Sequence, residues 1–600
     1  MAKKNRSVPS FVFILQLFLF VSAFFALLFR FQRGVDLTDE SWYVAEPYLV
    51  SQGQLIPYVN NWSQVPGFTL PLALIFNLYT LLRGTEGIML FSRLLYLVWV
   101  MAVTLLTAFI VHQAAGGKFP FIWSLPLLLT TAALFDVSYN SIGSEYLPLV
   151  LALVYAAWSK EGRCALISGV IAGTIGARMI IGTPQVFPAC IILLILLFAF
   201  KRRRLALGIL LGVAISAALV IGWCCIRGGI SGFLYGMKVW LVDNYYFKLE
   251  SRHSFAGDLR YLLPFLRPAY VFFLAVLGLR LLFLKKEKAF SFLLVALILL
   301  FLLYGALNPG FRNGIPKEFY RFAWFESFGL IFCRRIDRCR FFVMLTTALN
   351  AVVYLFSSFT NIYGFSGREY WLVVPVSMSC LSLLLLVPWD AAAEVNLLFP
   401  SRTSEERRAL FRSFVHGCFV LLIVLVFLLQ LRASFLYSYR DAPVDQLTVK
   451  VESGIWKSCY TTEERAGDVE DLEAYIRSRT DETDRVFFLD WVSFAYLMNN
   501  GEACTSMTLD PNSYTYKINE PRVLFDYYKL VKTVPNKIIY IDYGRDNCLS
   551  IEDLEWKFNA FVDSFYNLTD TYKNQSFRVL IYDLTDFTAA MEYAALNSLS

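Results

Sequence analysis

Three carboxylates fall within five residues at Asp36, Asp39 and Glu40, in the run Asp36-Leu37-Thr38-Asp39-Glu40-Ser41-Trp42-Tyr43. The run follows directly on an apolar segment, where a chain leaves a membrane. An anchoring helix needs no acid there, whereas a general base working beside a lipid-borne substrate does. The plain alternative is a solvated acidic turn. Thr38 reads as the cap of a short helix, with Asp39 and Glu40 in the first turn, where the positive end of the helix dipole favours them. Asp39 and Tyr43, four residues apart, then share a face. Pro47 kinks or ends that helix.

Other residues able to do chemistry are scattered. Asp136 and Glu145 bracket a second polar loop, which also holds Tyr139 and Asn140. Arg93 and Arg178 sit inside apolar runs, where an unpaired charge is costly and calls for a partner or a polar cavity; snorkelling or a local ion pair is the bland alternative. Lys238 lies in a loop read over 227–267, and Arg368 and Tyr370 in one over 361–371. Trp42, Tyr43, Trp62 and Tyr139 can stack on sugar or prenyl groups, or simply belong to an interfacial aromatic belt. The three histidines, His112, His253 and His416, are far apart, and the 11 cysteines show no metal-ligand spacing.

The elements that must position these residues follow from hydropathy. The 600-residue chain is 57% hydrophobic and 17% aromatic, with a mean hydropathy of +0.54. Apolar runs of about 20 residues, each long enough for a spanning helix, recur up to residue 432. Lys3, Lys4 and Arg6 precede the first run, and no small-x-small cleavage site follows it. This reads as an uncleaved helix with a cytoplasmic N-terminus. Residues 31–86 form a long first outer loop. The apolar stretch 66–82 is short and interrupted by Pro71. If it lies on the membrane or re-enters it, the basic clusters at 112–118, 160–163, 201–204, 285–288, 334–340 and 401–412 all fall inside, as the positive-inside rule asks. The expectation is a multi-pass membrane domain of about 13 helices over 1–432, with later spans including 119–135 and 205–226. The net charge of +7 reports this topology and not nucleic-acid binding.

Residues 433–600 are polar and alternate helix and strand signals. Strands are expected at Arg485–Asp490, Lys537–Asp542 and Phe577–Tyr582, with helices at Asp468–Arg479, Val523–Val531 and 551–563. That pattern predicts a small, mostly parallel α/β sheet on the same outer side as Asp39. It carries no phosphate-cradling glycine motif, and reads as a lid or acceptor-binding module. Cys459, Cys504 and Cys548 allow at most one internal disulfide.

Asp39-Glu40-x-x-Tyr43, then Gly53, Pro57 and Pro66, resembles in order and spacing the first-loop pattern of the GT-C superfamily of integral membrane glycosyltransferases. The likeness is to the branch holding protein O-mannosyltransferases and lipid A aminoarabinose transferases. Arg93-Leu94, Glu145-Tyr-Leu-Pro-Leu and Arg368-Glu-Tyr-Trp-Leu-Val-Val-Pro375 resemble further motifs of that branch, with Asp136 the rival of Glu145 as second acid. Val65 stands where the aminoarabinose enzymes carry a basic residue.

The resemblance implies transfer of a sugar from a polyprenyl-phosphate donor to a glycan, lipid or protein acceptor, in an inner or plasma membrane with the C-terminal domain extracytoplasmic. It implies Asp39 as general base, with Arg93, Arg178, Arg368 and Lys238 on the donor phosphate. Glu40 would pair with one of these or bind sugar hydroxyls. Trp42, Tyr43, Gln64, Tyr139, Asn140 and Tyr370 would contact sugar or acceptor. No cofactor is required, and the chemistry leaves room for a divalent metal between Asp39 and the phosphate. Two rival readings are an O-antigen-type polymerase or ligase, whose key basic residues lie in a large late loop, and a transporter or flippase, which should show paired broken spans in two halves.

Overall fold

The computed structural model describes residues 10–63, 65–115, 121–129, 135–243, 271–272, 274–283, 287–307, 311–312, 315–316, 342, 344–349, 352–353, 404–436, 438, 440–489, 492–508, 522–543 and 556–598. Gln64, Arg368, Tyr370 and Cys548 lie outside these residues, as do the expected spans at 321–333 and 370–389.

The described N-terminal part is helical. The helices are α1 (Ser10–Phe31), α2 (Asp39–Ser51), α3 (Leu70–Arg83), α4 (Ile88–Ala114), α5 (Tyr139–Ala157), α6 (Gly162–Gly182), α7 (Phe187–Ala199), α8 (Arg203–Asp243), α9 (Glu287–Leu307) and α10 (Ser404–Leu436). Among the described residues, Ile88–Ala114, Gly162–Gly182 and Arg203–Trp240 are long and apolar enough to cross a membrane, and Gln16–Phe31, Ser141–Ala157, Pro184–Ala199 and Val420–Leu436 are shorter apolar helices. Their outer faces are greasy: Ile226 is 85% and Leu219 70% exposed, which suits lipid and not water. The described residues do not carry the count to 13.

Two expectations change here. Of the span expected over 119–135, the described residues Phe121–Leu129 wind as a 3₁₀ helix. The loop expected from Arg227 onward continues as helix to Asp243, after a break at Gly229 with φ +74°. The pair Gly228-Gly229 looks like a loop in sequence, but Tyr235 and Trp240 beyond it pack on Trp62 and Tyr58, with ring centroids 6.0 and 5.3 Å apart. Helix α3, on the stretch expected to lie on or re-enter the membrane, has 14 residues, about 21 Å long.

Helices α6 and α8 approach closely. A Cβ on Gly173 would fall 2.2 Å from the Ile209 carbonyl, and one on Gly208 2.3 Å from that of Leu166. Gly169 and Gly173 face Gly208 and Gly212, so small residues at a spacing of four let two backbones touch.

The C-terminal part is the α/β unit expected. Strands β1 (Arg485–Leu489), β2 (Glu502–Ala503), β3 (Lys537–Asp542), β4 (Tyr566–Lys573) and β5 (Arg578–Leu584) form one sheet in the order β2-β1-β3-β5-β4. Helices α11 (Glu463–Arg479), α12 (Arg522–Val531), α13 (Trp556–Phe565) and α14 (Phe587–Asn597) accompany it. The sheet is mixed and not mostly parallel: β1 runs parallel to β2 and β3, while β5 is antiparallel to both β3 and β4. Two strands were not expected, the short β2 and the longer β4, whose sequence Tyr566-Asn-Leu-Thr-Asp-Thr-Tyr-Lys573 is too polar to read as a core strand. It forms the sheet edge, where a charged, bulged strand resists pairing with other chains. Cys459 and Cys504 are buried free thiols.

This unit docks on the first loop. The Tyr460 N–H donates to the Gln32 carbonyl at 2.7 Å and the Gly34 N–H to the Tyr460 carbonyl at 2.8 Å, while Trp62 N–H reaches the Ser506 carbonyl at 2.9 Å. The α/β unit and the acidic stretch therefore share one side of the helical part.

Candidate active site at the first loop

The acidic stretch is built around Asp36. Its carboxylate accepts the Thr38 and Glu40 N–H groups at 3.0 and 2.8 Å and the Thr38 hydroxyl at 2.6 Å. Asp36, and not the Thr38 side chain, thus satisfies the free donors at the start of α2; Thr38 occupies the cap position without a capping side-chain bond. Burial, and then the neighbouring Asp39 carboxylate, push the Asp36 carboxyl up to about 6.

The two carboxylates that follow part company. Glu40 is buried and grips Arg93 from α4 in a two-pronged pair, Nε to Oε1 and Nη2 to Oε2, the latter at 2.7 Å. Arg93 also donates to the Phe31 and Gly34 carbonyls at 2.9 and 2.7 Å. Its fork therefore ties the end of α1 to the start of α2. Asp136 stands beside this pair, accepting the Ser92 hydroxyl, and its carboxyl is held well above the usual range by burial and by the Glu40 charge. Glu145 is buried further along α5.

Asp39 differs. Its side chain is 22% exposed, and Arg440 Nη2 stands 3.3 Å from Oδ2. Arg440 comes from the junction between α10 and the α/β unit, and it also donates to the Thr38 hydroxyl oxygen. Sequence reasoning passed over it. The available signal was a lone arginine on the side of the membrane where basic residues are disfavoured.

The other expected residues are distributed as follows. Trp42, Tyr43, Tyr139 and Phe68 pack on one another, with centroids 4.9 to 6.1 Å apart, and all are buried. Their faces form the wall beneath α2. Asn140 lies in the first turn of α5. Arg178 donates to the Gly67 and Phe68 carbonyls at 2.8 and 2.7 Å and, with Arg227, lines a mostly apolar cavity of about 550 Å³. That cavity meets α2 at Val50 and Ser51, about 16 Å along the helix from Asp39. Lys238 is exposed on the far half of α8. Of the cations expected at the phosphate, Arg93 is engaged by Glu40 and Arg178 by backbone carbonyls, and Arg368 lies outside the described residues. The described residues hold no group of three or more His, Cys, Asp or Glu able to bind a metal ion.

Gly53 and Pro57 set the turn after α2. Gly53 has φ +76°, and a Cβ there would meet the Arg227 guanidinium at 2.6 Å.

Glu46, one turn past Trp42 on α2, went unnoticed in sequence. It is fully buried and accepts the Ser63 hydroxyl at 2.9 Å. Burial pushes its carboxyl up to about 7, against the pull of Trp42, Ser63, Asn61 and the Thr508 N–H. The raised value means that the native state keeps a proton the unfolded chain releases. Its contribution to stability is therefore complete below about 4.5 and lost as pH rises through about 7. Glu46→Gln, which mimics the protonated form, should flatten this slope and be more stable than wild type at pH 8 by about 1–3 kcal/mol. Thermal unfolding between pH 4 and pH 8 reads it, and an unchanged slope would refute the assignment.

No family model matches the chain, and no match was found among curated proteins. Among solved structures, the chain is similar to ArnT from Cupriavidus metallidurans in the apo state. The two are 12% identical over 94% of this chain and 97% of that one, with a TM-score of 0.41. The reading of the site therefore rests on its own geometry.

Proposed function

We propose that the chain is a membrane glycosyltransferase that moves a sugar from a polyprenyl-phosphate donor to an acceptor hydroxyl or amine on the outer face, with Asp39 as general base. The observation that carries this is the split of the acidic pair. Glu40 is buried and neutralised by Arg93, whereas Asp39, one residue away, keeps a partly exposed carboxylate at the start of a helix. Burial of Glu40 against Arg93 serves the fold, and a partly exposed carboxylate one residue away is within reach of a substrate.

In the reaction, the acceptor oxygen bonds to the anomeric carbon as the bond from that carbon to the phosphate oxygen breaks. The electron pair leaves with the phosphate, and the acceptor proton passes to Asp39. Direct attack inverts the anomeric configuration. The donor is already activated, so no nucleotide site is required. The apolar cavity at Arg178 and Arg227 has the chemistry to accept a prenyl chain.

The test is to incubate full-length protein in lipid nanodiscs with radiolabelled polyprenyl-phosphate sugars and envelope acceptors, following release of polyprenyl phosphate. Release that depends on Asp39 supports the reading. No turnover of any such donor overturns it.

A further inference from the structure

The cavity at Arg178 and Arg227 carries two positive charges that its own walls do not balance. It is lined by Gly67 and by residues of α2, α3, α6 and α8, and none of them is acidic. Among the described residues neither arginine pairs with a carboxylate. Arg178 spends two N–H groups on the Gly67 and Phe68 carbonyls, which fix the guanidinium and leave its charge in place. Arg227 is exposed just before the break in α8, with its guanidinium against Gly53. Positive charge beside a mostly apolar space calls for a counter-charge, and a guanidinium fork fits a phosphate.

The apolar walls say what brings that phosphate. Leu74 of α3 and Leu219 of α8 line the cavity and are 67% and 70% exposed, so it opens sideways through a greasy rim that suits lipid. Trp223, beside them, is a residue type favoured at the level of lipid head groups. Arg178 and Arg227 stand about 24 and 36 Å along α6 and α8 from the starts of those helices at Gly162 and Arg203. Those heights bracket a hydrocarbon core of about 30 Å. The phosphate is not the one that leaves in the proposed transfer. Arg227 touches Gly53, beyond the end of α2, whereas Asp39 opens that helix about 18 Å away. A phosphate bonded to the sugar carbon beside Asp39 does not reach Arg227.

We infer that this cavity binds an anionic phospholipid of the bilayer, its head-group phosphate on Arg178 and Arg227 and an acyl chain along the wall between α3 and α8. A zwitterionic head brings its own ammonium and leaves the two guanidiniums unbalanced; a net negative head neutralises them. The lipid bridges α3 to α6 and α8, and so braces the first loop on the helical part. This goes beyond the transfer reaction and does not depend on it. A prenyl chain entering the cavity from a phosphate beside Asp39 would share the walls and would not bring a phosphate to Arg227.

The test is to titrate delipidated, detergent-purified full-length protein with dioleoylphosphatidylglycerol, dioleoylphosphatidylcholine, farnesyl phosphate and inorganic phosphate. Native mass spectrometry reads binding, and thermal unfolding reads stabilisation. The phosphatidylglycerol should bind and raise the melting temperature, with the phosphatidylcholine at least about fivefold weaker. Arg227→Ala should weaken phosphatidylglycerol about fivefold or more, Arg227→Glu further, and Arg227→Lys should stay closer to wild type. Leu219→Trp, which keeps both charges and fills the apolar wall, should weaken it as well. Should Arg227→Ala fail to fold, Arg227→Lys and Leu219→Trp carry the comparison. Equal binding of the two phospholipids, or phosphatidylglycerol binding that none of the variants alters, overturns the inference. Inorganic phosphate that stabilises as much as phosphatidylglycerol overturns a lipid site. Farnesyl phosphate that displaces phosphatidylglycerol and loses its own binding in Arg227→Ala overturns the phospholipid and gives the site to the donor. Failure to transfer any sugar sinks the proposed function alone and leaves these readouts unchanged.

Discussion

Asp39→Asn is expected to lower sugar transfer by about 10²–10⁴-fold while changing folding stability by no more than about 1 kcal/mol. The first figure is what a positioned general base contributes. The second follows from the little that Asp39 does for the fold. Its pair with Arg440 is 3.3 Å long, with the two side chains 29% and 22% exposed, and its place in the first turn of α2 adds only a modest dipole interaction. Asparagine keeps the shape and removes the proton acceptor. Initial rates from a polyprenyl-phosphate sugar, set beside thermal unfolding of the same preparations, separate the two effects. Transfer within twofold of wild type would mean that the base is elsewhere. Other carboxylates of the site are poor replacements: Glu40 is held by Arg93, Asp136 is buried and held well above its usual range, and Asp36 is spent on the start of α2. Loss of transfer together with loss of folding would make Asp39 structural.

How far this site is legible in sequence depends on the range of the interactions that build it. The apolar runs of α4 and α6 and the strand Lys537–Asp542 are local patterns, and they appear where hydropathy and strand alternation place them. So does the acidic start of α2, since helix-start preferences act over three or four residues. The details that differ have causes that hydropathy does not register. The apolar stretch Phe121–Leu129 winds as a 3₁₀ helix, a difference in winding that mean hydropathy does not register. Gly229 bends α8 without ending it, because aromatic rings beyond the bend find partners in the first loop. The edge strand β4 is polar by necessity. Arg440 is the plainest case. It meets Asp39 from the other side of the membrane domain in sequence, through a junction whose geometry depends on Gly34, Val35 and Thr461 together. No spacing rule reaches across such a distance. Of the four cations proposed for one phosphate, Arg93 is occupied by Glu40 and Arg178 by backbone carbonyls, which only the packed structure reveals.

Removing one member of the Glu40–Arg93 pair is expected to cost about 3–5 kcal/mol, because the other charge is left buried without its counterpart. The pair is nearly closed to solvent, with side chains 4% and 5% exposed. In Glu40→Gln the guanidinium would retain only the Phe31 and Gly34 carbonyls, which do not neutralise it. In Arg93→Met the Glu40 carboxylate would face Asp136 with no cation between them, and the two would have to share a proton. Either change should loosen the junction of α1, α2 and α4. The double variant Glu40→Leu/Arg93→Met removes both charges and should recover much of the loss, as buried pairs replaced by apolar groups often do. A double-mutant cycle on unfolding free energies reads the coupling directly. Asp39 gives the opposite signature, losing rate and keeping stability. If Glu40→Gln instead abolished transfer at a cost below about 1 kcal/mol, Glu40 would share the chemistry, and the division of the acidic pair into one residue for the fold and one for the reaction would fail. If both patterns hold, the acidic pair answers two different needs, because burial turns the Glu40 charge into a structural tie and Asp39 keeps a partly exposed carboxylate within reach of a substrate.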